Sequence, residues 1–334
     1  MVASRGYQFA VSSPREFHDP AGCAAALKER RENRAVVPAS VLRRIDLDGR
    51  VNDEDLRFTE SSFRELCKAS GIPPSYLLKL AKRNDSLAHE VLSDALGSTF
   101  PADDMVLTID SSARLIESVA SPHSYIDASE VLDLLLSANS DFRLTRAWIH
   151  GQQVRFALAT SREVDVKKGD AVCFGVSVEH DESFNAITHI ADYVERLVCD
   201  NGMTTSDRKS AEEIHHAEEV ATDLIFAACA QVADRSRNLL PLMKAAATSF
   251  YDANGIRSAR SFLQHAPGGG RALEVRATRG AVEEARREGH PPGAISVWNY
   301  VNGVTDAAKQ EPTPSRRRSV EALGHALLQR SADS

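Results

Sequence analysis

The period of apolar positions changes along the chain, and each change predicts a different kind of element. Between residues 58 and 96 apolar side chains recur every three or four positions, the spacing of one helix face. Thr59 is placed to cap a helix carrying Phe63, Leu66 and Cys67 on one side, and Gly71 stands where a helix end favours a left-handed residue. Pro73 and Pro74 then open a second helix with Tyr76, Leu77 and Leu80. A third is predicted over 85–96, stopped by Gly97.

From Met105 the period shortens to two. Residues 105–110 and 115–120 read as a hairpin, and four more strands are predicted at 142–149, 154–160, 171–179 and 185–194. Asp127 and Glu130 mark the start of an intervening helix with Val131, Leu132 and Leu135 inward. The last four strands have short connections, with His150 and Gly151 as a turn, so neighbours pair antiparallel and a doubly wound nucleotide-binding fold is disfavoured. An Asn201-Gly202 turn follows, and Ser210 with Glu213 reads as a capping box. They open a long helix in which Ile214, Ala217, Ala221, Leu224, Ala228 and Val232 keep helical spacing, with a break near Pro241.

These elements predict an α+β fold: a curved, mainly antiparallel sheet of five or six strands packed by a long helix, with helical N- and C-terminal regions. Residues 1–57, with Pro14, Pro20 and Pro38 and a short helix over 24–34, read as an N-terminal arm. Residues 58–264 form the expected core. Residues 265–334 read as a basic helical region that begins at Gly268, Gly269 and Gly270. That region carries a short helix around Val282 and Glu283, another over 296–309, and a terminal helix with Val320, Leu323 and Leu327.

Composition narrows the class. The chain has 334 residues, 43% of them hydrophobic, enough for a large core. It shows neither an apolar run long enough for a membrane helix nor a leader pattern at Met1, which points to a cytoplasmic protein without a membrane partner. Cys23, Cys67, Cys173, Cys199 and Cys229 are scattered and never form a CxxC pair, so reduced, buried thiols are expected rather than disulfides or a zinc ribbon. The net charge is −7, yet residues 257–318 hold eleven basic against six acidic residues, a local patch fit for an anionic partner.

For chemistry, His180, Asp181, Glu182 and His189 surround one strand connection and are the candidates for a metal or acid–base site, weighed against exposed hairpin polars. Cys199 with His215 or His216 offers a nucleophile and base, weighed against a thiol buried at a strand end. No HExxH motif occurs and the glycine run lacks the Gly-Lys-Ser/Thr of a phosphate loop, so no cofactor is expected. The candidate nucleic-acid contacts are Arg257, Arg260, Arg271, Arg276, Arg279, Arg316, Arg317 and Arg318, which can neutralise phosphates without reading sequence. Trp148, Trp298 and Tyr300 are the candidates for stacking on bases, although Trp298 and Tyr300 fit a core equally well.

Three separated segments resemble the phage- and plasmid-borne family catalogued as domain of unknown function 932. They are Phe58-Thr59-Glu60-Ser61-Ser62-Phe63 continuing through Gly71-Ile72-Pro73-Pro74-Ser75-Tyr76-Leu77, then Tyr193-Val194-Glu195-Arg196-Leu197-Val198-Cys199-Asp200-Asn201-Gly202-Met203 with the Ile214-His215 that follows in the long helix, and Ser296-Val297-Trp298-Asn299-Tyr300-Val301-Asn302-Gly303-Val304-Thr305. Asp200 and the His180-Asp181-Glu182 run depart from the family's usual residues. The resemblance implies the biology of mobile elements and no settled reaction. The sheet-then-helix order is also similar to phage single-strand-annealing proteins, an analogy of fold. The expectation is a homo-oligomeric protein that binds nucleic acid, above all single-stranded DNA, in recombination or replication. The alternatives are a metal- or His-dependent enzyme and an interaction protein directed against host defence.

Overall fold

The computed structural model describes residues 14–38, 56–99, 104–110, 114–122, 125–183, 186–197, 201–204, 212–216, 220–311 and 314–332. Strand β1 (Arg15–Phe17), helix α1 (Pro20–Glu32), β2 (Arg34–Pro38) and β3 (Arg57–Phe58) come first. Helices α2 (Glu60–Ala69), α3 (Pro74–Arg83) and α4 (Asp85–Thr99) follow, then β4 (Asp104–Asp110), β5 (Leu115–Ala120) and α5 (Ala128–Ala138). The central strands are β6 (Phe142–His150), β7 (Gln153–Lys167), β8 (Asp170–Asp181), β9 (Ile187–Arg196), β10 (Asn201–Thr204) and β11 (Glu212–His215). The remainder is helical: α6 (Ala221–Ser236), a 3-10 turn at Arg237–Leu239, α7 (Leu240–Thr248), α8 (Ala253–His265), α9 (Arg271–Arg287), α10 (Val297–Ala308) and α11 (Pro314–Ala332).

The fold is α+β, as the periodicity predicts, with the strands divided between two sheets. One runs β1-β6-β7-β8-β9-β10, all antiparallel, with β11 also on β9. The other runs β2-β4-β5-β3 and takes the hairpin of β4 and β5 away from the main sheet. Helices α1, α5 and α6 pack on one face of the larger sheet through Leu27, Leu135, Ile225 and Val232 against Phe156, Val176 and Ile190. The smaller sheet is covered by α2, α3 and α4. A third apolar cluster joins α7 to α11 with the ends of β7, β8 and β9, and its largest members are Trp298 and Tyr300. Short segments from the N-terminal stretch enter both sheets, since β1 pairs with β6 and β2 with β4.

Local signals place several elements as expected. Thr59 caps α2 by accepting from the Ser62 amide, Gly71 adopts φ +70°, and Ser296 and Asn299 form a capping box on α10. Others differ. Glu212–His215 is a strand on β9, so Ile214 is buried as a sheet residue and the helix begins only at Ala221. The paired strand satisfies its backbone through β9, which no intrahelical ladder needs to supply. Asn201 and Gly202 do not make the turn: they belong to β10 and pair with Arg196 and Glu195 of β9. Ser210 and Cys199 fall outside the described residues. Gly97 lies inside α4, and the short helix expected around Val282 is the 17-residue α9. The expected break near Pro241 is present, as α6 ends at Ser236 and Pro241 sits in the first turn of α7.

Candidate nucleic-acid interface

The fold separates the eight candidate arginines by what each side chain meets. Arg317 lies on the inner side of α11 and is buried, donating to Glu16 at 3.0 Å and to the Lys309 carbonyl at 3.0 Å. Arg318, one position on, bonds Glu179 of β8. Arg276 and Arg316 share Glu311, and Arg260 is paired with Glu274, whose carboxylate is buried. Burial raises the Glu274 pKa, but the bonds from Arg260 and Gln264 outweigh it and hold the carboxyl below its ordinary value. Among the described residues Arg257 reaches Asn254, and Arg279 reaches Glu283 one turn along the same exposed helix face. Arg271 is exposed at the start of α9.

What these positions assemble is one stripe on α9. Arg271, Val275, Arg279 and Arg286 follow one another at four, four and seven residues, so they share one helix face over about 22 Å. All four are exposed, and Val275 is 55% exposed among the cations. Arg260 of α8 stands across a shallow groove lined by Val275, Thr278, Arg279, Val282 and Arg286 together with the carboxylates Glu274 and Glu283, which pair with Arg260 and Arg279. Arg286 was missed in the sequence, although its spacing from Arg279 carries the same helical signal.

The aromatic candidates lie elsewhere. Trp298 and Tyr300 are buried, with the Trp298 indole donating to Asp170 at 2.8 Å and the Tyr300 hydroxyl bonded to Thr278 at 3.0 Å. Arg196, in the second of the segments that carry the family resemblance, bonds that same Asp170 at 2.5 Å and Glu284 at 2.6 Å. The second and third segments therefore meet around one buried carboxylate. Trp148 is also buried, and Arg146, Arg155 and Arg317 stack over its ring at 5.4, 4.9 and 5.1 Å. Arg155 is held by Glu321 of α11 at 2.6 Å, so this cluster seals α11 onto the sheet.

The His180, Asp181, Glu182 and His189 group is pulled apart by the sheet. Thr188 opposes His180 and His189 opposes Glu179, so the two histidines point to opposite faces. His180 and Glu182 are buried instead at the junction of the two sheets. Arg30 of α1 donates there to Glu182 at 2.8 Å, to Glu117 of β5 at 2.5 Å and to the Gly151 carbonyl at 2.7 Å. Glu182 also accepts from the Ala128 amide at 3.0 Å, so it satisfies the first turn of α5 as well. Burial opposes its ionisation, yet Arg30 and the bonds around it hold its pKa below the usual carboxylate range. Among the described residues no group of three metal-ligating side chains comes together.

Beside this junction, His180 and His216 stack with ring centres 4.8 Å apart, and the Thr188 hydroxyl lies 3.0 Å from His180 Nδ1 and 2.7 Å from His216 Nε2. His180 Nε2 sits 2.9 Å from the Ile126 carbonyl, which only accepts, so that nitrogen carries the proton. With His180 neutral, Nδ1 accepts from Thr188, and Thr188 accepts from His216 Nε2. Burial pushes the His180 pKa below its ordinary value, and Arg30 acts the same way against the opposing pull of Glu182 and the Ile126 carbonyl. The unfolded chain therefore binds this proton first. Stability is full above the ordinary histidine pKa of about 6.5 and is lost as pH falls below it. Urea midpoints measured at pH 7.5 and 5.5 should show a fall that is smaller in His180→Asn; equal falls in both proteins would remove His180 as the cause.

Among the described thiols, the Cys173 sulfur lies 4.0 Å from the Arg143 guanidinium. Cys23, Cys67, Cys173 and Cys229 are buried and free, and burial pushes Cys67 and Cys229 up to about 12. Comparison with protein-family models, with curated proteins and with solved structures found no match to the chain.

Proposed function

We propose that the protein binds single-stranded nucleic acid, with DNA as the expected partner, through the outer face of α9 and the groove it shares with α8. The observation that carries this reading is the exposed line of Arg271, Arg279 and Arg286 with Val275 among them. Their guanidinium groups are held by exposed local pairs or, for Arg271 and Arg286, by no ion pair among the described residues, so they remain available to phosphates. A flexible single strand adjusts its backbone to a straight line of cations, whereas a duplex meets it at few points. The resemblance to the mobile-element family and the basic balance of the C-terminal part support the same reading. The role would lie in recombination or replication.

Fluorescence anisotropy with single-stranded and duplex oligonucleotides at two salt concentrations tests this. The single strand should bind at low salt and weaken steeply as salt rises. Replacing Arg271, Arg279 and Arg286 together by alanine should lower the salt slope by about 2, since each phosphate contact on a single strand contributes roughly 0.7. Arg316→Ala, at a residue already bound to Glu311, should leave binding unchanged. Absence of binding by the wild-type protein at low salt would overturn the reading.

A further inference from the structure

Helix α3 has two unlike faces. Leu77 and Ala81 are buried in the core of the smaller sheet, with Leu78 and Leu80 packed beside them. On the other side lie Tyr76, Lys79 and Arg83, at intervals of three and four residues, so they share one helix face over about 10 Å. Lys82 flanks that face. All three cations are exposed, and Tyr76 is 53% exposed.

These cations differ from those of the preceding helix. On α2, Arg64 is bonded to Glu60 and Lys68 to Glu65, each within one turn. Helix α3 contains no carboxylate, and among the described residues Lys79, Lys82 and Arg83 have no ion pair. The negative end of the helix dipole favours Lys82 and Arg83 in the last turn. It accounts neither for Lys79, which lies further in, nor for an aromatic ring left in water among the charges. A partner with anionic groups and flat apolar faces between them satisfies both kinds of side chain. A single nucleic-acid strand has that alternation, whereas the bases of a duplex already stack on one another.

We propose that the outer face of α3 is a second contact for single-stranded nucleic acid, in which a base stacks on Tyr76 while Lys79, Lys82 and Arg83 take the neighbouring phosphates. This rests on the reading of the protein as a single-strand binder, and it supplies what the α9 stripe lacks, an exposed aromatic ring. The two surfaces are carried by different parts of the fold, because α3 packs in the cluster of α2 and α4 while α9 belongs to the cluster of α7, α8, α10 and α11.

Anisotropy of the full chain with a labelled oligothymidine tests the proposal, with circular dichroism showing each variant folded. Tyr76→Ala should weaken binding about tenfold and leave the salt slope unchanged, and Tyr76→Phe, which keeps the ring, should bind as the wild type does. Replacing Lys79, Lys82 and Arg83 together by alanine should lower the salt slope by about 2. With 5-iodouracil in the strand, irradiation should link a base to Tyr76. Unchanged binding by Tyr76→Ala or by the triple variant, or adducts that avoid Tyr76, would overturn the inference. So would loss of binding to phosphatidylglycerol vesicles in these variants while binding to the strand is kept, which would make α3 a lipid contact. The Arg271, Arg279 and Arg286 variant separates this inference from the α9 reading. If it loses binding and the α3 variants do not, the α3 contact falls and α9 stands; the reverse result keeps α3 and removes α9. A wild type that binds no strand at low salt removes both.

Discussion

Replacing Glu182 by alanine should lower the unfolding free energy by about 3–5 kcal/mol, the range for removing one partner of a buried ion pair. The loss has several parts that fall together. Arg30 keeps its charge inside the protein with only Glu117 and the Gly151 carbonyl to receive it, and the Ala128 amide at the start of α5 loses its acceptor. Arg30 comes from α1, Glu117 from the smaller sheet and Glu182 from the position just after β8, so the same change loosens the joint between the sheets. Chemical denaturation should show the lower midpoint. Glu182→Gln, which keeps shape and accepting oxygen but not charge, should recover part of the difference. A Glu182→Ala protein as stable as wild type would show that the joint contributes little.

Gly303→Ala should destabilise by about 2–3 kcal/mol through overpacking. A methyl group there would lie 2.2 Å from the Ala277 carbonyl oxygen and 2.7 Å from the Ala281 nitrogen, backbone atoms of the facing helix that have no side-chain freedom to yield. Helices α9 and α10 cross this closely because Gly303 and Gly280 face one another. The substitution pushes α9 outward, and with it the arginine stripe. Thermal unfolding measures the stability term, and anisotropy on the folded variant reads whether the stripe has shifted. An unchanged melting temperature would mean that the crossing relaxes at no cost.

Much of this architecture was legible because its signals are local. Thr59 and Ser296 cap helices by bonds to residues three positions away, and the hairpin strands alternate over lengths that periodicity can resolve. Strand β11 was not legible. Its buried Ile214 lies seven residues before Ala221, a spacing that two helical turns would produce, and only pairing with β9 reveals a strand. Strands β1 and β2, of three and five residues, gain their structure from partners more than sixty residues away in sequence. The basic balance of the C-terminal part was visible, but which arginines stay on the surface was not. Arg317 and Arg318 are taken inward by Glu16 and Glu179, and no spacing near them announces those carboxylates.

The bond between Glu16 and Arg317 joins groups 301 residues apart in sequence. A ribosome would release the first of them long before it made the second, and strand β1 would wait beside Trp148 without the arginine that later covers that ring. The central sheet can assemble during synthesis from neighbouring hairpins, but this seam closes only once α11 is free. The slowest step of folding should therefore be docking of the last helix, and a nascent chain stalled before Pro314 would display Trp148, Arg146 and Arg155 to chaperones.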